Sequence, residues 1–375
     1  MRPLPTSRGR LRMGTGASVD VETLEEFDAL VAAGASQMRG WRIQDVDLRE
    51  RTAQLTALRP GGAVLLGCDV SAAAEEHLRT GGALLFPDLP RLPFDPYRPG
   101  LYTPQELYAG PGATPYDETP DALIYAWSRQ HATDAEHRMA AALHDYAIDE
   151  ALDEELGDAG AVGIMGGHDI DRGAHDFGQA ALTGHRLARA GLRVVTGGGP
   201  GAMEAANLGA YLCPYDEGVV DDAVEMLAAQ PSFRPSVTAW VTAALAVRQA
   251  WPDGGPSIGI PTWFYGHEPP NAFASSIAKY FQNSLREDTL LRRCNAGIVF
   301  LPGAAGTVQE VFQDACENYY ADEATLTPMV LVGADYWTRE VPAWPLLSRL
   351  AASRPMARAV HLVDTVDDAV ALVTS

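Results

Sequence analysis

The sequence predicts an α/β protein: a doubly wound, mostly parallel sheet with a smaller α/β unit before it. Three observations predict this. Short apolar runs of strand length alternate with longer segments whose apolar residues recur at helical spacing. Three of those runs end in glycine turns, at Gly166, Gly197 and Gly303. The chain has 375 residues, more than one hydrophobic core usually holds, so a large domain and a smaller one are expected.

Residues 1–18 are basic and rich in Pro and Gly without an apolar core, and are expected to be disordered rather than a secretory signal. The small unit is expected over 19–120. In it the pattern predicts a helix from Val21 to Ala33, a strand from Met38 to Leu48, a strand from Ala63 to Leu66, a helix from Ala72 to Arg79 and a strand from Ala83 to Phe86. Cys68, Asp69 and Asp88 fall at strand ends and read first as turn residues. Residues 87–120 carry Pro every few positions, with Phe94, Tyr97, Tyr102 and Tyr108 as anchors, and read as a linker or cover. The large domain is expected over 121–375, opening with helical sequence from Asp121 to Leu156.

Val162 to Met165 is a buried strand leading into Gly166-Gly167-His168. A helix is predicted from His175 to Ala190 and a strand from Leu192 to Thr196. The strand runs into Gly197-Gly198-Gly199-Pro200-Gly201-Ala202-Met203-Glu204. Two helices are expected over 218–251, a strand over Ser257–Pro261 and a long helix over Ala274–Arg293. Ile298 to Leu301 is a strand buried on both faces, broken by Pro302 and Gly303. Val308, Val311, Phe312, Ala315, Cys316 and Tyr319 then keep helical spacing. A strand at Met329–Val332, a helix near Trp344–Ala352, a strand at Val360–Val363 and a helix from Val366 finish the chain.

The bulk numbers exclude several functions. A formal net charge of −21 argues against binding nucleic acid or anionic membrane surfaces, though not against a small phosphorylated ligand in a local pocket. The four cysteines, Cys68, Cys213, Cys294 and Cys316, form no Cys-x-x-Cys, which fits a reducing cytoplasm and neither a disulfide framework nor a zinc site. No apolar run reaches membrane-spanning length.

In a doubly wound sheet, ligands sit at the carboxyl ends of the strands, so the three glycine turns should converge on one crevice. Each opens a helix whose free N–H groups and positive dipole end favour an anion. No Gly-x-Gly-x-x-Gly opens the first helix and no acid ends the second strand, so a mononucleotide fits better than NAD. Glu310 comes one turn into the helix after Gly303. A carboxylate is electrostatically awkward beside a phosphate site, which marks it for chemistry. The alternative is ordinary compensation of the helix dipole.

At this point the residues resemble a known family. Gly197-Gly198-Gly199-Pro200-Gly201-Ala202-Met203 and Pro302-Gly303-Ala304-Ala305-Gly306-Thr307-Val308-Gln309-Glu310 are similar to the paired signatures of the Rossmann-like Lonely Guy (LOG) family. Gly166-Gly167-His168 and Glu268-Pro269-Pro270-Asn271 narrow the resemblance to its larger bacterial members, the nucleotide 5′-monophosphate nucleosidases. It covers about 161–332. It implies hydrolysis of the N-glycosidic bond of a nucleoside 5′-monophosphate to free base and ribose 5-phosphate, without metal or organic cofactor. Glu310 and Arg286 are then the catalytic pair. Gly303, Gly306 and Thr307 would hold the 5′-phosphate, with Gly198, Gly199 and Gly201 opposite. Gly167, His168, Met203, Glu204 and Asn271 would complete the substrate contacts.

Two departures from the family pattern motivate a second reading, a nucleotide-binding regulatory protein with little or no catalysis. Ala304 replaces a glycine, and Arg286 lies one residue further from Pro302 than the pattern has it, with Glu287 in the expected slot. His168 and Asn271 are alternatively turn residues, and Glu204 a dipole-compensating acid. Arg292 and Arg293 read as solvated or interfacial. A third reading, a pyridoxal phosphate lysine decarboxylase, needs a Schiff-base lysine. Lys279, the single lysine, is expected on a helix without a matching cofactor motif. LOG-like proteins pair through helices beside the crevice, so a homodimer or higher homo-oligomer is expected, with Phe281, Phe312, Tyr319 and Tyr320 at the contact.

Overall fold

The computed structural model describes residues 19–89, 92–109, 114–130, 134–264 and 268–374. The expectation for residues 1–18 lies outside the described residues. The chain divides into two compact units at Pro99/Gly100, so residues 100–120 count with the second unit rather than with the first.

The first unit is a four-stranded parallel sheet in the order β1-β2-β3-β4, with β1 Val19–Val21, β2 Trp41–Gln44, β3 Val64–Leu66 and β4 Leu84–Phe86. Helices α1 Leu24–Ala32, α2 Thr52–Ala57 and α3 Ala72–Thr80 connect the strands. Helix α1 starts later than its apolar spacing suggested, and Val21 belongs to β1. Thr23 caps the helix with Glu26 in a capping box, the Thr-x-x-Glu signature of a helix start. The expected strand over Met38–Leu48 shrinks to four residues. Phe27, Trp41, Ile43, Leu55, Leu65 and Leu78 fill the core. The Cys68 thiol donates to the Ile43 carbonyl at 3.3 Å, as a turn residue does.

The second unit begins with α4 Pro104–Leu107, α5 Pro120–Gln130 and α6 Ala135–Leu156. The helical stretch read as one piece is therefore two helices, and residues 131–133 between them lie outside the described residues. The main sheet follows: β5 Ala161–Met165, α7 His175–Arg189, β6 Arg193–Thr196, α8 Ala202–Tyr211, α9 Gly218–Ala228, α10 Val237–Ala250, β7 Ser257–Gly259 and β8 Ser276–Ile277. It continues with α11 Asn283–Arg292, β9 Gly297–Phe300, α12 Ala305–Tyr320, β10 Met329–Val332, α13 Ala343–Ala351, β11 Val360–Val363 and α14 Val366–Thr374.

All seven strands are parallel, in the order β11-β10-β9-β5-β6-β7-β8. This is a doubly wound, Rossmann-like sheet. The chain goes outward from β5 through β6, β7 and β8, then returns to β9 on the other side of β5. The strand order therefore reverses between β5 and its two neighbours, where crevices form in such sheets. Val162, Ile164, Val194, Val299 and Val330 lie in one core with Phe177, Leu208 and Phe273.

Small residues bring two helices together beside the switch point. A Cβ on Gly184 of α7 would lie 2.0 Å from the Ala206 carbonyl oxygen, and one on Gly209 of α8 would lie 1.8 Å from that of Ala181. Only glycine allows backbones this close, and the contact fixes where α8 begins.

The long helix expected over Ala274–Arg293 is a correction. Residues 274–282 extend the sheet instead: Ser276 and Ile277 pair with β7, and Tyr280 bridges to Thr262. Ala278 donates to the Gly259 carbonyl at 2.9 Å and Tyr280 to that of Pro261 at 3.0 Å. The buried apolar residues Ile277, Ala278, Tyr280 and Phe281 stand at spacings that suit a strand as well as a helix, and sheet pairing decides it. Only Asn283–Arg292 is helical. Lys279 is correspondingly not on a helix.

Candidate functional site

The three glycine turns touch one another. Gly167 donates its backbone N–H to the Pro302 carbonyl at 3.0 Å, and its own carbonyl accepts from Ala202 at 3.0 Å. A Cβ on Gly201, where φ is +69°, would lie 2.4 Å from the Gly167 oxygen, and one on Gly303 would lie 2.9 Å from the Gly167 nitrogen. The ends of β5, β6 and β9 are thus one packed platform.

On the β9 side, the buried Thr307 packs its hydroxyl and Cβ against Gly303. Ala304 is the N-cap of α12 and offers no side-chain acceptor, and no acid sits in the first turn. The opening N–H groups of a helix have no partner within it, and residues 304–306 are exposed. Together they leave an anion-attracting helix start open to ligand. Ala304 has φ −81°, a conformation any residue adopts, so the replaced glycine distorts nothing. Tyr336 donates its hydroxyl to the Gly303 carbonyl at 2.9 Å.

On the β6 side a buried polar network sets the turn. The Thr196 hydroxyl accepts from the Gly198 N–H at 3.0 Å and donates to Asn207 Oδ1 at 2.7 Å. Asn271 Nδ2 donates to the same Asn207 oxygen at 2.9 Å and to the Gly199 carbonyl at 3.2 Å. Asn271 Oδ1 accepts from the N–H groups of Phe273 and Ala274, both at 3.1 Å. Both ends of this side-chain amide are used within the protein, so Asn271 clamps the glycine turn. Met203 lies against Gly197 and Gly199.

Glu204 is fully buried and forms a two-pronged ion pair with Arg172: Nε meets Oε2 at 3.0 Å and Nη2 meets Oε1. Arg172 also donates to the Trp240 carbonyl at 3.0 Å and lies over its indole ring at 4.5 Å. Burial raises the Glu204 carboxyl from its ordinary value, and Arg172 opposes this. His168, Gly201 and Glu204 line an open cleft with Phe233, Arg234 and Trp240. His168 is partly exposed, 3.1 Å from Asp169 and 3.9 Å from Glu268. Glu310 and Arg286 are not among the walls of that cleft.

Arg286, on α11, reaches the platform from the other direction. Its Nε donates to the Ile260 carbonyl at 2.8 Å, Nη2 to that of Gly197 at 3.4 Å and Nη1 to Glu287 Oε1 at 2.7 Å. The same Nη1 stands 3.9 Å from Glu310 Oε1. All three side chains are buried, with Glu310 8% exposed. Burial pushes the Glu310 carboxyl from 4.5 up to about 8. Arg286 pulls it down and Glu287 pushes it further up. One turn along α12, burial also lifts the buried Asp314 to about 8. Strongly shifted buried acids are characteristic of functional sites. A carboxyl held this way can give up or take a proton near neutral pH.

The other singled-out side chains fall outside this group. Lys279 is buried, its ammonium 2.6 Å from Asp121 and 5.0 Å from the Trp263 ring centre. Phe281 is also buried, 4.7 Å from Trp263, which makes it core rather than contact surface. Tyr320 is 80% exposed. Arg293 pairs with Asp149 and Asp153. Among the described residues no cluster of three or more His, Cys, Asp or Glu side chains could hold a metal ion, and no helix is long and apolar enough to cross a membrane. Residues Thr196, Asn207, Arg172, Glu287 and Tyr336 were not singled out as site residues from sequence, though Thr196 and Asn207 lie inside the glycine-rich stretch itself.

No family model matches the chain, and no curated protein matches it. Among solved structures the chain is similar to the molybdenum cofactor carrier protein of Chlamydomonas reinhardtii, at 18% identity over 57% of this chain and 96% of that one, with a TM-score of 0.37. It is also similar to the molybdenum cofactor binding protein of Rippkaea orientalis, at 17% identity over 58% and 96%, with a TM-score of 0.36. A second Chlamydomonas carrier structure gives 21% identity over 57% and 95%, with a TM-score of 0.35. Similarity at this level carries no argument about ligand or activity. The α/β assignment stands on the sheet topology.

Proposed function

We propose that the switch-point crevice is the active site of a hydrolase that cleaves the N-glycosidic bond of nucleoside 5′-monophosphates. The observation that carries this reading is the buried Glu310 beside Arg286, on the helix whose start carries no side-chain cap. The motif resemblance to the LOG family supports it. The 5′-phosphate would sit on the exposed start of α12, held by N–H groups of residues 305–307 and the Thr307 hydroxyl. Ribose C1′ would lie toward Glu310.

In the reaction, the C1′–N bond breaks with its electron pair passing to the base nitrogen, which takes up a proton. Water adds to C1′ and loses a proton. Ionised Glu310 stabilises the positive charge building on the sugar and accepts the water proton. Arg286 holds negative charge on the ligand. Because burial holds the proton on Glu310 up to about pH 8, turnover is expected to rise with pH through the neutral range.

One observation favours a second reading, binding without turnover. The Arg286 guanidinium is already engaged by two backbone carbonyls and Glu287. Incubating the protein with a panel of ribonucleoside monophosphates separates the two. Free base in the supernatant supports hydrolysis; saturable binding with no base released supports the second reading. The protein is further proposed to be cytoplasmic and to act as a homodimer or larger homo-oligomer.

A further inference from the structure

Two buried acids face a single buried cation in this crevice. Glu287 Oε1 is 2.7 Å from Arg286 Nη1, and Glu310 Oε1 is 3.9 Å from the same nitrogen. Glu287 is 6% exposed and Arg286 8%. The second oxygen of Glu287, Oε2, is buried with no hydrogen-bond partner. The backbone carbonyls of Ile260 and Gly197 also accept from the guanidinium, and in this arrangement Glu287, not Glu310, lies at hydrogen-bonding distance from Nη1.

Charge arithmetic then decides the outcome. Burying two carboxylates against one guanidinium leaves one negative charge uncompensated, and a buried uncompensated charge is avoided by taking a proton. The acid farther from the cation keeps the proton. We propose that Glu287 is a positioning residue that acts on Glu310 through Arg286, competing for the one guanidinium both acids can reach and so deciding which of them carries the proton.

The surroundings of Glu310 agree. Of the charged groups acting on it, Arg286 and Glu287 both come from α11, one lowering and one raising its proton affinity. The Cys294 thiol at the end of α11 is itself pushed up by burial, with Asp314 and Glu310 adding to it. Asp314, one turn further along α12, has one oxygen without a partner and is raised by burial and by Glu317. None of these supplies Glu310 with a second cation. Glu287 follows Arg286 directly in α11, so the cation and the competing acid arrive on the same turn of one helix. The consequence is a site in which Glu310 ionises more readily when Arg286 is released from Glu287.

The test is a direct titration of carboxyl groups by ¹³C NMR on full-length protein, with Glu310 assigned by its loss in Glu310→Gln and Asp314 by its loss in Asp314→Asn. Wild-type Glu310 should titrate near 8. Glu287→Gln should weaken its proton affinity by about tenfold or more. Glu287→Ala should do the same, and serves where the glutamine variant folds poorly. Glu287→Asp, which keeps the charge, should leave it high. An unchanged or higher Glu310 titration in both Glu287→Gln and Glu287→Ala overturns the proposal. The kinetic corollary rests on the hydrolase reading: base release by Glu287→Gln should begin at lower pH than in wild type. A shifted titration without base release from any variant sinks that reading alone. Base release with an unshifted titration sinks the role of Glu287 alone.

Discussion

Replacing Glu310 by glutamine should stabilise the protein at alkaline pH. The folded carboxyl titrates at about 8 instead of 4.5, mainly through burial. In the window between those values the folded state holds a proton that the unfolded chain releases. Stability therefore falls as pH rises from about 5 to about 8, because folding must take that proton up. The full shift corresponds to about 5 kcal/mol. Rearrangement of the ionised side chain and entry of water reduce the expected effect to about 2 kcal/mol. Glutamine keeps the size and does not titrate. The gap in stability between Glu310→Gln and wild type should thus move in the mutant's favour by about 2 kcal/mol between pH 5 and pH 9, or about 3 °C in melting temperature. Asp314 titrates in the same window but is present in both proteins and cancels. Melting curves for the pair at half-unit pH steps are the assay. If Glu310 only compensates the helix dipole, the mutant loses about 0.3–1 kcal/mol wherever the carboxylate is charged. A gap that stays constant, or moves toward wild type as pH rises, refutes the reasoning.

Gly306 has open space where a Cβ would go, so Gly306→Ala should fold with unchanged or slightly raised melting temperature, yet weaken nucleoside monophosphate binding by about tenfold or more by standing where the phosphate approaches; calorimetric titration reads the binding. Asn271→Ala should take the side-chain partner from the Gly199 carbonyl and from the Phe273 and Ala274 N–H groups and cost about 2–4 kcal/mol, measured by urea unfolding, and it should also weaken binding because the glycine turn loses its clamp. Glu204→Gln leaves Arg172 buried without its carboxylate and should cost about 3–5 kcal/mol, read in the same experiment; a loss under about 1 kcal/mol would show that the pair is hydrated.

Much of the fold is legible from local pattern. The β5, β9 and β10 runs are continuous and apolar because both sheet faces are covered, and the turns after β5, β6 and β9 are marked by glycine. That those turns meet follows from strand order, which alternation of strands and helices already implies. Residues 274–282 differ from the expectation because Ile277, Ala278, Tyr280 and Phe281 stand at spacings a helix and a strand both allow, and only pairing with β7 shows the segment to extend the sheet. The site was legible where a motif carries it, as at Thr307 and Glu310. Arg286 came from the resemblance and not from any local signal. The Arg172–Glu204 pair was not legible, because 32 residues separate its partners. Asn271 was singled out as a ligand contact with a turn cap as the alternative, and its neighbours assign every polar atom of its side chain within the protein. Glu287 was visible as an oddity of sequence. Its meaning depends on the 2.7 Å contact with Arg286, which no spacing rule supplies.

The central claim is that Glu310 breaks a glycosidic bond in this crevice. The most direct measurement follows free base and ribose 5-phosphate together on the best ribonucleoside monophosphate, with ligand affinity determined on the same samples of wild type and Glu310→Gln. The account predicts equal amounts of base and sugar phosphate from wild type, a loss of about 100-fold or more in turnover for Glu310→Gln, and affinity within a few-fold of wild type. Turnover that survives the substitution, or binding with no base released by wild type across the whole panel, would contradict it.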